Sequence, residues 1–213
     1  MFGSTRRAPT GAGGEDAGEI SRAGLFQRAA LLGGTALAVG GLVTALPGRA
    51  NSAPSRTRDV RILNYVLRLE RLKAAFYAEA VARNALSGEL QQLAELLARH
   101  ERAHVAILSK RLGSEPQSER AYDFGDATRD AHTFATTART LEETAVAAYI
   151  GQGANLTRSL MVPFAQLCSV EARHAAWIGD FLEEAPAPRA ADEAKPPSDV
   201  LAVIEETGFE AVG

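Results

Sequence analysis

The chain has a single cysteine, Cys168, in 213 residues. One thiol excludes an intrachain disulfide framework and a cysteine-built zinc site. Histidine is nearly as scarce, with four residues, and aromatic residues make up 6%. β-Branched runs are few outside the N-terminus while Ala and Leu abound, which points to helices. An excess of positive charge is lacking too: 23 Lys and Arg stand against 26 Asp and Glu, for a formal net charge of -3. With no basic field to hold a phosphate backbone, nucleic acid is a poor partner.

What is present divides into three parts. Residues 1–53 read as an export signal: a polar stretch with Arg6, Arg7, Arg22 and Arg28, an uncharged Ala/Leu/Gly run over 29–46, then small residues suited to cleavage near Ala50 or Ala53. The stretch "SRAGLFQRAA" resembles a twin-arginine signal in which Ala23 takes the place of the second arginine. An exported protein, periplasmic or extracellular, is the expectation. The alternative is a membrane anchor over 29–46, since eighteen uncharged residues reach the lower limit of a spanning helix. Membrane contact is expected only through this segment. At the other end, 183–198 is a Pro/Ala/charge-rich linker, and a short helix follows with Ser198 as N-cap and Gly208 as C-cap.

Between them, residues 59–182 supply one domain's worth of chain. Apolar positions recur at three- and four-residue steps in four segments, predicting helices over about 60–86, 90–112, 131–149 and 155–182. Asp59 is expected to cap the first. Pro163 should kink the fourth or mark a separate first turn. Residues 114–130 show no periodic run, so a long crossover joins helices two and three while the other connections are short. The predicted fold is all-α: an antiparallel four-helix bundle with one long crossover.

The two halves of this domain repeat. "LERLKAAFY" (69–77) matches "LEETAVAAY" (141–149), each with Glu in second place and Tyr seven residues later. "ERAH" (101–104) matches "EARH" (171–174). Each half therefore carries Glu, then Glu-x-x-His: Glu70, Glu101 and His104 in the first, Glu142, Glu171 and His174 in the second. Residues three apart share a helix face, so each Glu-x-x-His pair can hold one ion from adjacent turns. Both pairs fall on apolar stripes, where charge is costly unless paired or bound to metal. Four carboxylates balance two divalent cations and leave both imidazoles as neutral ligands. Such a pattern, one Glu from each of two helices and Glu-x-x-His from the other two, resembles the ligand set of ferritin-like di-metal carboxylate proteins.

On those six residues the sequence resembles the exported ferritin-like domain family, which includes desiccation-related proteins, with a site similar to those of rubrerythrin and bacterioferritin. The resemblance implies two Fe, or alternatively two Mn, held by Glu70, Glu101, His104, Glu142, Glu171 and His174. It implies O2 or H2O2 as small-molecule substrate, with ferroxidase-, peroxidase- or catalase-like chemistry, and a homo-oligomer is compatible with it. The competing expectation is a non-enzymatic stress-protective or structural envelope protein with a metal-stabilised or vestigial site; storage of iron in a cage is a third. Tyr77 and Tyr149 are candidates to hydrogen-bond ligand carboxylates, or else core residues with satisfied hydroxyls. Glu79 is turned to the opposite face from Glu70, Glu143 is one step off the Glu142 face, and His100 and His132 read as surface histidines. Cys168, one turn before Glu171, reads as a small buried hydrophobe.

Overall fold

Ser55 sets the start of the first helix: its Oγ accepts from the Arg58 N–H at 3.3 Å. The structure is a computed structural model that describes residues 53–118 and 120–210. The expected leader lies, apart from Ala53, outside the described residues. Among the described residues no helix is long and apolar enough to cross a membrane.

Among the described residues five helices follow one another: α1 (Arg56–Arg83), α2 (Gly88–Leu112), α3 (Ala131–Gly153), α4 (Arg158–Phe181) and α5 (Pro197–Thr207). Short turns close the α1/α2 and α3/α4 hairpins, which makes their members antiparallel neighbours. Across the hairpins, α1 packs on α3 and α2 on α4. The long connection separates the hairpins, as expected from its lack of periodicity. It is strapped to α1: Asn64 donates to the Glu115 carbonyl at 2.9 Å and accepts from the Gln117 N–H at 2.7 Å, and Thr128 donates to Glu79 at 2.8 Å.

Four local expectations need correction. Asp59 does not cap α1. Buried in the first turn, its carboxylate accepts from Thr157 N at 2.9 Å and Thr157 Oγ1 at 2.6 Å, binding the start of α4 instead. α4 begins at Arg158, and Pro163 lies within it. α1 ends at Arg83 and not at Leu86, with Asn84 in the left-handed region closing it at φ 51°. Ser198 is not the cap of the last helix, which starts at Pro197 with Pro196 in the capping position. A proline tolerates the first turn because its missing N–H would have no helical partner. Gly208 does end that helix, at φ 68°.

α5 docks on α3 and sends Val200 and Ile204 into a core shared with Phe76, Phe124 and Phe134. The linker before it crosses α3 where Lys195 N donates to the Ala147 carbonyl at 3.2 Å. A Cβ on Gly151 would collide with the Lys195 carbonyl, so glycine is needed there for the close approach.

The apolar core is in two clusters. One holds Leu90, Leu93 and Leu97 of α2 with Phe76, Phe134 and Ile178; the other holds Leu108 and Leu112 of α2 with Leu63, Tyr149, Phe164 and Leu167. On α2 the buried polar residues between these two sets are Glu101 and His104. A charged layer thus interrupts the hydrophobic interior.

Candidate metal centre

Each of the four bundle helices supplies a carboxylate to this layer: Glu70 from α1, Glu101 from α2, Glu142 from α3 and Glu171 from α4, all 0% exposed. His104 and His174, one turn beyond Glu101 and Glu171, are buried as well. The i, i+3 spacing brings each imidazole to the carboxylates, as helix geometry requires. Two overlapping groups result, Glu70/Glu101/His104/Glu171 and Glu101/Glu142/Glu171/His174, in each of which one potential ligand atom per residue lies within 4.8 Å of the others. Glu101 and Glu171 belong to both.

His104 Nδ1 lies 2.7 Å from Glu171 Oε1, 3.5 Å from Glu70 Oε2 and 3.6 Å from Glu101 Oε2. His174 Nδ1 lies 3.2 Å from Glu101 Oε1, 3.6 Å from Glu171 Oε2 and 3.7 Å from Glu142 Oε2. Among the described residues neither nitrogen has a hydrogen bond of acceptable geometry, nor do Glu70 Oε2, either oxygen of Glu101, or Glu171 Oε1. Leaving a buried polar atom unpaired costs about 1–3 kcal/mol, more if it is charged. Converging oxygen and imidazole donors with this deficit fit divalent first-row cations. The cluster can hold a metal ion.

The outer oxygens are held from outside. Tyr77 donates to Glu142 Oε1 at 2.5 Å and Tyr149 to Glu70 Oε1 at 2.8 Å. Both tyrosines are thus core residues and carboxylate partners at once. His100 corrects its reading as a surface histidine: it is half-buried, with Nδ1 2.9 Å from His174 Nε2 and the two rings stacked. His132 is exposed. Glu79 pairs with Arg83 and Glu143 with Arg139, both away from the cluster. Cys168 is half-buried against the second apolar cluster, and burial pushes its thiol up to about 11.

Sequence reasoning missed Lys73. Its side chain is 2% exposed, and Nζ lies 3.0 Å from Glu101 Oε2, 3.0 Å from Glu142 Oε2 and 3.4 Å from Glu70 Oε2, with Glu171 Oε2 closer still. A signal was there: Lys73 is three residues after Glu70, hence on its face, and the repeat places Ala145 at the equivalent position after Glu142. The charge balance of four carboxylates against two divalent ions must also carry this ammonium.

The electrostatics follow from these contacts. Burial opposes ionisation of Glu70 and Glu142, but the Lys73 charge and the neighbouring imidazoles hold both well below the usual carboxylate range. Burial and the other carboxylates push Glu101 up to about 8 despite Lys73, and Glu171 rises for the same reasons. Burial disfavours charged imidazole, yet the carboxylates around them raise His104 to about 12 and His174 to about 11. Lys73, against the same burial cost, is held protonated by all four glutamates.

A sequence model described as a ferritin-like domain matches residues 58–184. No curated protein matches the chain.

Proposed function

Because the chain belongs to the ferritin-like domain family, we propose that the buried cluster is the dinuclear metal centre of an exported oxidoreductase that oxidises Fe(II) or reduces O2 or peroxide. Two iron ions, or two manganese ions, are its cofactors in this reading. Glu70, Glu101, His104 and Glu171 would hold one ion, and Glu101, Glu142, Glu171 and His174 the other. The observation that carries the reading is the set of buried oxygen and nitrogen atoms that face one another without hydrogen bonds. When bound, the metal ions supply the electron transfer and an open coordination position for the oxidant.

The chain's own residues divide the remaining work. Tyr77 and Tyr149 orient Glu142 and Glu70 by their outer oxygens. Glu101 has no hydrogen bond from a tyrosine or backbone group and is oriented by its ion pairs with Lys73, His104 and His174. The two apolar clusters exclude water from either end. Export rests on the leader-like residues 1–53.

Metal analysis of protein purified from its native compartment, followed by O2 and peroxide uptake with Fe(II), tests the reading. Repeated turnover at more than one oxidant per centre is the expected result. Metal-loaded protein that consumes oxidant once and stops belongs to the second reading, a stress-protective or structural envelope protein. Lys73 favours that second reading, because an ammonium and two protonated imidazoles offset most of the carboxylate charge without any metal.

A further inference from the structure

The internal repeat pairs Glu70 with Glu142 and Tyr77 with Tyr149, but it pairs Lys73 with Ala145. The two halves of the cluster therefore differ by one full positive charge. That charge is placed between the donor groups. Two of its carboxylate contacts, Glu70 Oε2 and Glu101 Oε2, are also the oxygens within 3.5 and 3.6 Å of His104 Nδ1. The other two, Glu142 Oε2 and Glu171 Oε2, are within 3.7 and 3.6 Å of His174 Nδ1.

The placement is uneven. Nζ donates hydrogen bonds to Glu142 Oε2 at 3.0 Å and to Glu171 Oε2, whereas Glu101 Oε2 at 3.0 Å and Glu70 Oε2 at 3.4 Å are ion-pair contacts without a hydrogen bond. The ammonium consequently takes up the oxygens of the His174 half more than those of the His104 half. Both imidazole Nδ1 atoms lack a hydrogen bond, but of the four oxygens around the ammonium only those on the His104 side, Glu70 Oε2 and Glu101 Oε2, are left without one. An ammonium has three N–H donors and no lone pair, so it can satisfy carboxylates but cannot ligate a metal. A cation on the His174 side would need Glu142 Oε2 and Glu171 Oε2 for itself and would lie against the ammonium, where low polarity leaves their repulsion poorly screened.

We propose that Lys73 is a tethered competitor for the second metal ion: the first divalent ion binds on the His104 side with the ammonium in place, and the second binds on the His174 side only by displacing it. This rests on the dinuclear reading above and adds an order of loading to it. Ala145 offers no matching obstacle, so the difference in positive charge between the halves at this level comes from Lys73.

Titration of the metal-free full-length chain with Mn(II), followed by electron paramagnetic resonance, tests the order. The unmodified protein is expected to show an isolated Mn(II) signal at low loading and a spin-coupled pair only with excess metal. Lys73→Met, which keeps most of the stem without the charge, should tighten the second step by about tenfold or more. Equal second-step affinity in both proteins overturns the proposal and leaves the dinuclear centre standing. Failure of both proteins to bind Mn(II) overturns the proposal and the dinuclear reading together. Should Lys73→Met fail to fold, the unmodified chain decides: coupled pairs from the first addition overturn the proposal, and isolated ions that pair only at excess support it.

Discussion

Tyr77 on α1 donates its hydroxyl hydrogen to Glu142 on α3 at 2.5 Å. Its repeat counterpart, Tyr149 on α3, returns the bond to Glu70 on α1 at 2.8 Å. Each half of the repeat thus secures the glutamate of the other. Tyr77→Phe and Tyr149→Phe should each destabilise the metal-free protein by about 1.5–3 kcal/mol, the usual worth of a hydrogen bond to a charged group. Urea unfolding of both single variants and of the pair checks this. A loss below a few tenths of a kcal/mol would mean that the hydroxyls contribute only as core volume.

Lys73→Ala should destabilise the metal-free protein far more. Removing one partner of a buried charge pair costs about 3–5 kcal/mol, because the remaining charges stay buried without compensation. Added Mn(II) should restore part of that loss, since an ion that binds only the folded state stabilises it by mass action. The readout is the melting temperature of the variant with and without Mn(II). An unchanged melting temperature in the metal-free variant would place the ammonium outside the cluster in solution.

The metal-free protein should lose stability as pH rises above neutral. Glu101 is pushed from 4.5 up to about 8, and His104 and His174 from 6.5 up to about 12 and about 11. In that range the fold holds protons that the unfolded chain releases, so stability falls with increasing pH. The Glu101 contribution is complete below its unfolded value and gone above its folded one; that of the imidazoles begins to fade near 6.5. Glu70 and Glu142, held low, act in the opposite sense and lose their contribution as the solution is acidified below about 4.5. Melting temperatures across pH 4 to 9 should therefore peak on the acid side of neutrality. Glu101→Gln, which imitates the protonated acid, should flatten the alkaline limb, and a limb of unchanged slope would contradict the assignment.

His100→Ala should weaken metal binding by about 10–100-fold, the common cost of losing the group that orients a ligating histidine. His100 Nδ1 faces His174 Nε2, which leaves His174 Nδ1 directed at the carboxylates. Competition for Mn(II) against a chelator of known affinity measures the effect, and circular dichroism controls for the fold. Affinity equal to that of the unmodified protein would reduce the stacked pair to packing.

The six-residue constellation and the helices that carry it were legible in the sequence, because both depend on spacing within one chain segment. Glu101 and His104 share a face of α2 whatever α2 packs against, and the same holds for Glu171 and His174 on α4. Periodicity also marked the connection before Ala131 as non-helical. The ends of elements were less legible, since Ser55 and Asp59 are both capping residues by type and only the position of Thr157 decides which of them serves another helix.

The place of Lys73 on the Glu70 face was legible, but its partners were not, for a related reason. By composition a lysine three residues from a glutamate on a helix reads as a solvated surface pair, and nothing local tells whether its four methylenes lead to water or to three further carboxylates. His100 was likewise placed off the ligand face of its own helix, and only the approach of α4 brings His174 within 2.9 Å of it. The sequence by itself determined which residues lie on each helix face and that the halves repeat. Only the tertiary structure decided what meets between the helices, because those distances depend on chain segments roughly seventy residues apart being brought together.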